Sequence, residues 1–183
     1  MSRRFNLLTA ALMATLNLLA ASGWAAETSS PLGGGWRLTR TANPAGGADA
    51  VSIFHIADLP KSDPNLAGLM FRCADQGIEL LVVVVSPLPP IADPRVTIAA
   101  NGQEWQFDAR VIPPGLTLLL PTRSADLAAG VWQSAHQLDA KVTWQSKSLS
   151  GVVPIDGLAA ALTTLIANCP APDAEQSNSP ALH

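Results

Sequence analysis

The side chains that could do chemistry in this chain are few and far apart. His55 and His136 are the histidines that precede the final residue. Ser134 and Asp139 flank His136 in "QSAHQLD", and these are the types a Ser-His-Asp hydrolase uses. The serine lacks a G-x-S-x-G elbow, and closeness along the chain is not triad geometry. His136 therefore reads as a surface histidine, and no catalytic residue is assigned. There is no H-E-x-x-H, Walker loop, dinucleotide fingerprint or calcium loop. "DPNLAG" and "ADQG" carry oxygen ligands, but at the wrong spacing for calcium. The sequence calls for no metal and no cofactor. It contains 0 tyrosines, so a mechanism that needs a phenol is excluded.

Aromatic stacking is the other chemistry on offer. Beyond the N-terminal segment stand Trp36, Trp105, Trp132 and Trp144, which could form a sugar-stacking platform. Trp105 alternates with Phe107, and Trp144 with Val142, on the apolar faces of their strands. Burial is the expectation for those two. Trp132 lies beside Gly130 and near a polar stretch, so it is the tryptophan expected to make an exposed contact.

The two cysteines, Cys73 and Cys169, take their meaning from the compartment. "MSRRFNLLTAALMATLNLLAASGWAAE" has Arg3 and Arg4, then an apolar stretch, then small residues. That order predicts a secretory signal peptide over residues 1–25, cut after Ala25, with Ala26 as the alternative. The apolar core, Leu7 to Ala21, is shorter than the roughly 20 residues a membrane span needs. No cysteine lies near the cut, which closes the lipoprotein route, and no second segment is apolar enough to span. Losing Arg3 and Arg4 takes the formal net charge from −3 to about −5, which argues against nucleic acid or anionic membrane as the main partner. In an exported chain an even cysteine pair is most simply a disulfide. A metal pair is the alternative, but there is no C-x-x-C and no nearby histidine. A Cys73–Cys169 bridge would close a loop of nearly one hundred residues. The chain-entropy model gives such a loop roughly 4–5 kcal/mol, against about 2–4 for typical bridges.

The elements that must position these groups follow from periodicity. "ETSSPLGGG" (27–35) reads as a flexible lead. "WRLTRT" and "VSIFHIA" read as strands. "LMFRC" and "IELLVVVVSP" are two strands around the turn "ADQG". The uniformly apolar run Leu80 to Val85 needs cover on both faces, so it is a central strand. "PLPPIADP" stops it. "RVTIAANGQEWQFDARV" is a hairpin whose Asn101-Gly102 should form a type I′ turn. "LTLLLP", "AKVTWQSK" and "LSGVVPI" are further strands. Ser124 could cap a short helix over 126–129, ended by Gly130. Asp156 is the expected N-cap of a helix over 157–169, with Leu158, Leu162, Leu165, Ile166 and Cys169 on one face. The tail 170–183 is polar and proline-rich and is expected to be disordered. The sum is a mainly β (α+β) chain: one β-rich domain over 36–169, an antiparallel sandwich or curled sheet with a C-terminal helix.

Taken in order, these features resemble the periplasmic TagO/VasI family associated with type VI secretion. Carrying the resemblance are Trp36, the pair Arg72-Cys73, and the late motif Gly151, Gly157-Leu158, Leu162, Leu165 and Cys169. It spans roughly residues 36 to 169. The family's Arg-x-Asp motif is not reproduced, since the corresponding strand reads "RVTIAANG". The resemblance implies an accessory, non-catalytic role and brings no active site. Three readings follow. The first is an exported periplasmic accessory or interaction protein whose partner is an envelope or secretion-system protein. The second is a hydrolase acting on cell-envelope polymers, which would need His136 to converge with a serine or carboxylate in one cleft. The third is a soluble inhibitor or ligand-binding module using the "PLPPIADP" and "IPPG" loops, which a groove beside those loops would favour.

Overall fold

The computed structural model describes residues 27–44 and 46–170. The expected signal peptide, and all of the expected disordered tail beyond Pro170, lie outside the described residues.

Among the described residues, eleven strands form two antiparallel sheets. The larger sheet contains β1 (Glu27–Gly33), β2 (Trp36–Thr41), β3 (Ala50–Ile56), β4 (Leu66–Ala74), β5 (Gly77–Val84), β8 (Arg110–Ile112) and β9 (Thr117–Leu119), in the order β1-β2-β3-β4-β5-β9-β8. The smaller contains β6 (Arg95–Ala100), β7 (Gln103–Asp108), β10 (Gln137–Trp144) and β11 (Lys147–Pro154), in the order β11-β10-β6-β7. The described residues also form two α-helices, α1 (Arg123–Ala129) and α2 (Leu158–Asn168).

Alternation decides which side chains meet. Val51 and Ile53 of β3, Leu69 and Phe71 of β4, and Leu80, Val82 and Val84 of β5 belong to one buried cluster. Val96 and Ile98 of β6, and Leu138, Ala140 and Val142 of β10, enter it from the smaller sheet. The two inner faces thus share one core. The apolar run of β5 is covered on its other face too. Leu81, 0% exposed, sits in register between Met70 of β4 and Leu119 of β9. Val85 falls past the strand end and is exposed. Asn101 (φ 50) and Gly102 (φ 77) turn the β6–β7 hairpin with both residues left-handed, as a type I′ turn requires.

Four expectations are corrected. Residues 27–33 are a strand rather than a flexible lead. β1 pairs with β2 along its length through backbone groups, which need no apolar pattern. The β structure therefore starts before Trp36. Secondly, β8 was hidden in what reads as the end of the hairpin. The Ala109 N–H donates to Pro94 O, after which the chain leaves the smaller sheet and pairs in the larger one. Thirdly, Asp156 does not cap α2. Gly157 occupies that position with φ 79, and the Asp156 carboxylate turns to His136 instead. Lastly, the buried stripe of α2 is Leu158, Ala161, Leu162 and Leu165, while Ile166 is 62% exposed. The stripe narrows toward the helix end, where Arg40 bonds the Asn168 side chain.

Candidate functional site

The cysteines are joined. Cys73 at the end of β4 and Cys169 just past α2 form a disulfide with Cα atoms 5.6 Å apart, inside the usual 4.4–6.8 Å window. The bridge fixes α2 to the core face of the larger sheet. On the same side, Trp36 Nε1–H donates to Asp156 O at 3.2 Å, tying the start of β2 to the start of α2. His55 is buried beneath them, its ring 5.0 Å from that of Trp36. Its Nδ1 lies 2.8 Å from Ile56 O and its Nε2 2.8 Å from Gly34 O. These groups hold the structure together: Trp36 and His55 are buried, and the disulfide is half-buried.

The residues that could have made a hydrolase are dispersed. His136 Nδ1 is 2.9 Å from Asp156 Oδ1, with the two side chains 91% and 65% exposed. Ser134 is engaged elsewhere: its hydroxyl donates to Val131 O and accepts from Asn101 Nδ2. Asp139 points off β10 into a shallow trough of about 290 Å³ on the outer face of the smaller sheet, beside Glu104, Lys141 and Lys61. Each member of the sequence trio thus has a different set of neighbours. Among the described residues, no group of three His, Cys, Asp or Glu side chains is arranged to hold a metal.

The tryptophans are the largest correction. Trp132, expected as an exposed contact, is 0% exposed. It sits in a short 3₁₀ turn, Val131–Ser134, whose period of three points one side chain inward while its neighbours stay outside. Its ring packs edge-on against Trp105 at 5.8 Å and Phe107 at 6.4 Å. The polar and glycine neighbours that made it look exposed lie on the outer side of that turn. Trp105 and Trp144, expected to be buried, are only partly so, each packing against the core from its edge.

Trp144 ends β10 on the core-facing side and therefore reaches past the sheet. There it lines a cleft of about 410 Å³ between the loops of the two sheets. One wall is the "SPLP" stretch (86–89), together with Asp63 and Asn65. The other is the β10–β11 hairpin, with Trp144, Lys147 and Ser148. The first wall is locked by backbone hydrogen bonds. Val85 N–H donates to Asn65 O and Leu88 N–H to Gly115 O, each at 2.9 Å. Gly115 has φ 101, and a Cβ there would stand 2.4 Å from Leu88 O, so a side chain would force the two loops apart. The "IPPG" loop therefore buttresses the cleft from behind. Polar side chains are also set: Asn65 N–H donates to Asp63 Oδ1 at 2.8 Å, and Ser86 Oγ–H to Asn65 Oδ1 at 2.7 Å.

The proline-dense loop was the sequence signal for this place. The opposite wall carried none, because nothing in "TWQSKS" says that this hairpin ends against residues 63 and 86–89.

No protein-family model matches the chain, and no curated protein matches it. Among solved structures, the crystal structure of invasion associated protein B from Bartonella henselae is similar, with 13% identity and a TM-score of 0.48. The match covers 76% of this chain and 96% of that one. Nothing about the role of this chain follows from a likeness at that level.

Proposed function

We propose that this chain is an exported accessory protein of the bacterial envelope that works by binding rather than by catalysis, with the cleft between the proline loop and the β10–β11 hairpin as its contact site. The observation that carries this reading is the cleft itself. It is concave, its size lies within the 300–1,000 Å³ usual for ligand sites, and its wall is locked before any ligand arrives. Pre-ordered walls lower the entropy lost on binding. The lining chemistry is that of recognition: an indole, proline rings, an amide, hydroxyls and one charge of each sign. The disulfide supports export, because such bridges persist in oxidising compartments. With the signal-peptide pattern this favours the periplasm, and the TagO/VasI resemblance favours an envelope or secretion-system setting.

Two measurements test the reading. Mass spectrometry of the protein from a periplasmic extract should find a chain beginning at Ala26 or Glu27; an intact Met1 in the membrane fraction argues against export. Cross-linking in that extract should attach an envelope component to wild type but not to Trp144→Ala or Asn65→Ala of unchanged circular dichroism. Equal attachment by all three proteins removes the cleft from the reading.

A further inference from the structure

The cleft also says what kind of molecule it would take. Resting on the reading of this cleft as the contact site, we infer that its ligand is a neutral saccharide, held by stacking on Trp144 and by hydrogen bonds to Asp63, Asn65 and Ser148.

The argument starts from what the wall cannot do. An extended peptide is usually held through main-chain hydrogen bonds along a strand or loop. Pro87 and Pro89 have no N–H. The N–H groups of Val85 and Leu88 are already given to Asn65 O and Gly115 O. The proline wall has little backbone left to offer a peptide, so recognition falls to side chains.

Those side chains suit hydroxyl groups. Asn65 Oδ1 is occupied by the Ser86 hydroxyl, which leaves the Asn65 amide free to donate. Asp63 Oδ1 is occupied by the Asn65 N–H, which leaves Oδ2 free to accept. The Ser148 hydroxyl can do either. A donor and an acceptor presented side by side match adjacent sugar hydroxyls, each of which gives and receives a hydrogen bond. Trp144 lines the same cleft, and an indole ring is electron-rich on its faces, which attracts the slightly positive C–H face of a pyranose. Charge completes the fit: Asp63 and Lys147 contribute one charge of each sign, so the lining favours neither an anion nor a cation. A cleft of about 410 Å³ is large enough for one or two sugar rings of a longer strand.

The test is a titration of the disulfide-intact mature chain followed by the Trp144 indole N–H resonance in two-dimensional NMR. The probes are chitotetraose, cellotetraose, tetragalacturonate as an anionic control, and a proline-rich decapeptide. The expected result is a saturable shift with at least one neutral glycan. Trp144→Ala should weaken that binding about tenfold or more, a loss equal to about 1.4 kcal/mol, and Trp144→Phe should restore part of it. Asn65 is exposed, so Asn65→Ala removes no core packing and carries the test if Trp144→Ala does not fold; it should weaken binding several-fold. No shift with either neutral glycan, tighter binding of tetragalacturonate, or glycan binding unchanged in the variants each overturns the inference. Saturation by the decapeptide alone overturns it too, while leaving the cleft as the contact site. Loss of cleft-dependent cross-linking in the extract would instead sink the broader reading.

Discussion

The wall closed by α2 and the cleft at the proline loops reach rigidity by opposite means. Under α2 the means are burial and a covalent bond. Leu158, Leu162 and Leu165 sit on the sheet, and Cys73–Cys169 fastens the helix end. The polar groups there face inward: Trp36 Nε1–H donates to a carbonyl oxygen, and the His55 ring nitrogens lie against two more. At the cleft the means are prolines and backbone hydrogen bonds between loops, which leave side chains pointing outward. The same contrast runs through the tryptophans. Trp132 is enclosed by Trp105 and Phe107, whereas Trp144 keeps one side on the core and one on the cleft. A rigid region is a contact site only where its rigidity does not consume its surface. That is why the richer cluster of aromatic and titratable groups, around Trp36 and His55, is the structural one.

The largest effect should come from the two tryptophans compared. Trp132→Ala empties a fully enclosed site and should cost about 3–5 kcal/mol. Trp144→Ala removes a partly exposed ring and should cost no more than about 1–2 kcal/mol by its lost apolar area. Chemical denaturation of both variants measures the difference, and equal losses would mean that Trp144 belongs to the core and not to the cleft.

The disulfide comes next. Cys73→Ser and Cys169→Ser should each destabilise by about 2–4 kcal/mol, because either one frees the same loop in the unfolded chain. The double variant should be no worse than the single ones, and ligand binding at the distant cleft should persist in whatever fraction stays folded. Additive losses from the two substitutions would break the picture of one staple.

A smaller effect with a different readout is expected at Gly115. Alanine there must adopt φ 101 and meets Leu88 O, so a cost of about 2 kcal/mol is expected from the left-handed strain and the clash. Because the proline wall moves with it, affinity at the cleft should fall more than for Gly102→Val. That second substitution, at a turn with open space around its Cβ position, should cost about 1 kcal/mol and leave binding alone. Binding that drops equally in both would show that global stability, not the wall, sets affinity.

Much of the fold was legible because local patterns settle local structure. Asn101-Gly102 between alternating runs can hardly be anything but a tight hairpin, and the left-handed φ of both residues agrees. The apolar run from Leu80 demanded cover on both faces and has it from Leu80 to Val82, while Val83 is half-buried and Val85, past the strand end, is exposed. The pairing of Cys73 with Cys169 followed from compartment and count, with the helix face bringing the second cysteine toward the sheet. The edge strands were not legible, since β1 and β8 are made by backbone pairing with a neighbour supplied by another part of the chain. Nor was the fate of Trp132. Burial there is decided by a 3₁₀ turn aimed at β7, and that aim depends on where α1 comes to rest.

By itself, then, the sequence determined the mainly β class, the hairpins, the amphipathic C-terminal helix and the chemistry available to a disulfide, because each rests on contacts between residues near in sequence or on composition. Only the tertiary structure decided which tryptophans are fully buried and which only partly, that His136 meets Asp156 rather than Ser134 or Asp139, and that Asp63, Asn65 and Trp144 line one cleft. These are long-range relations. They are set by how two sheets stack and where their loops end, and no periodicity within one segment carries that information.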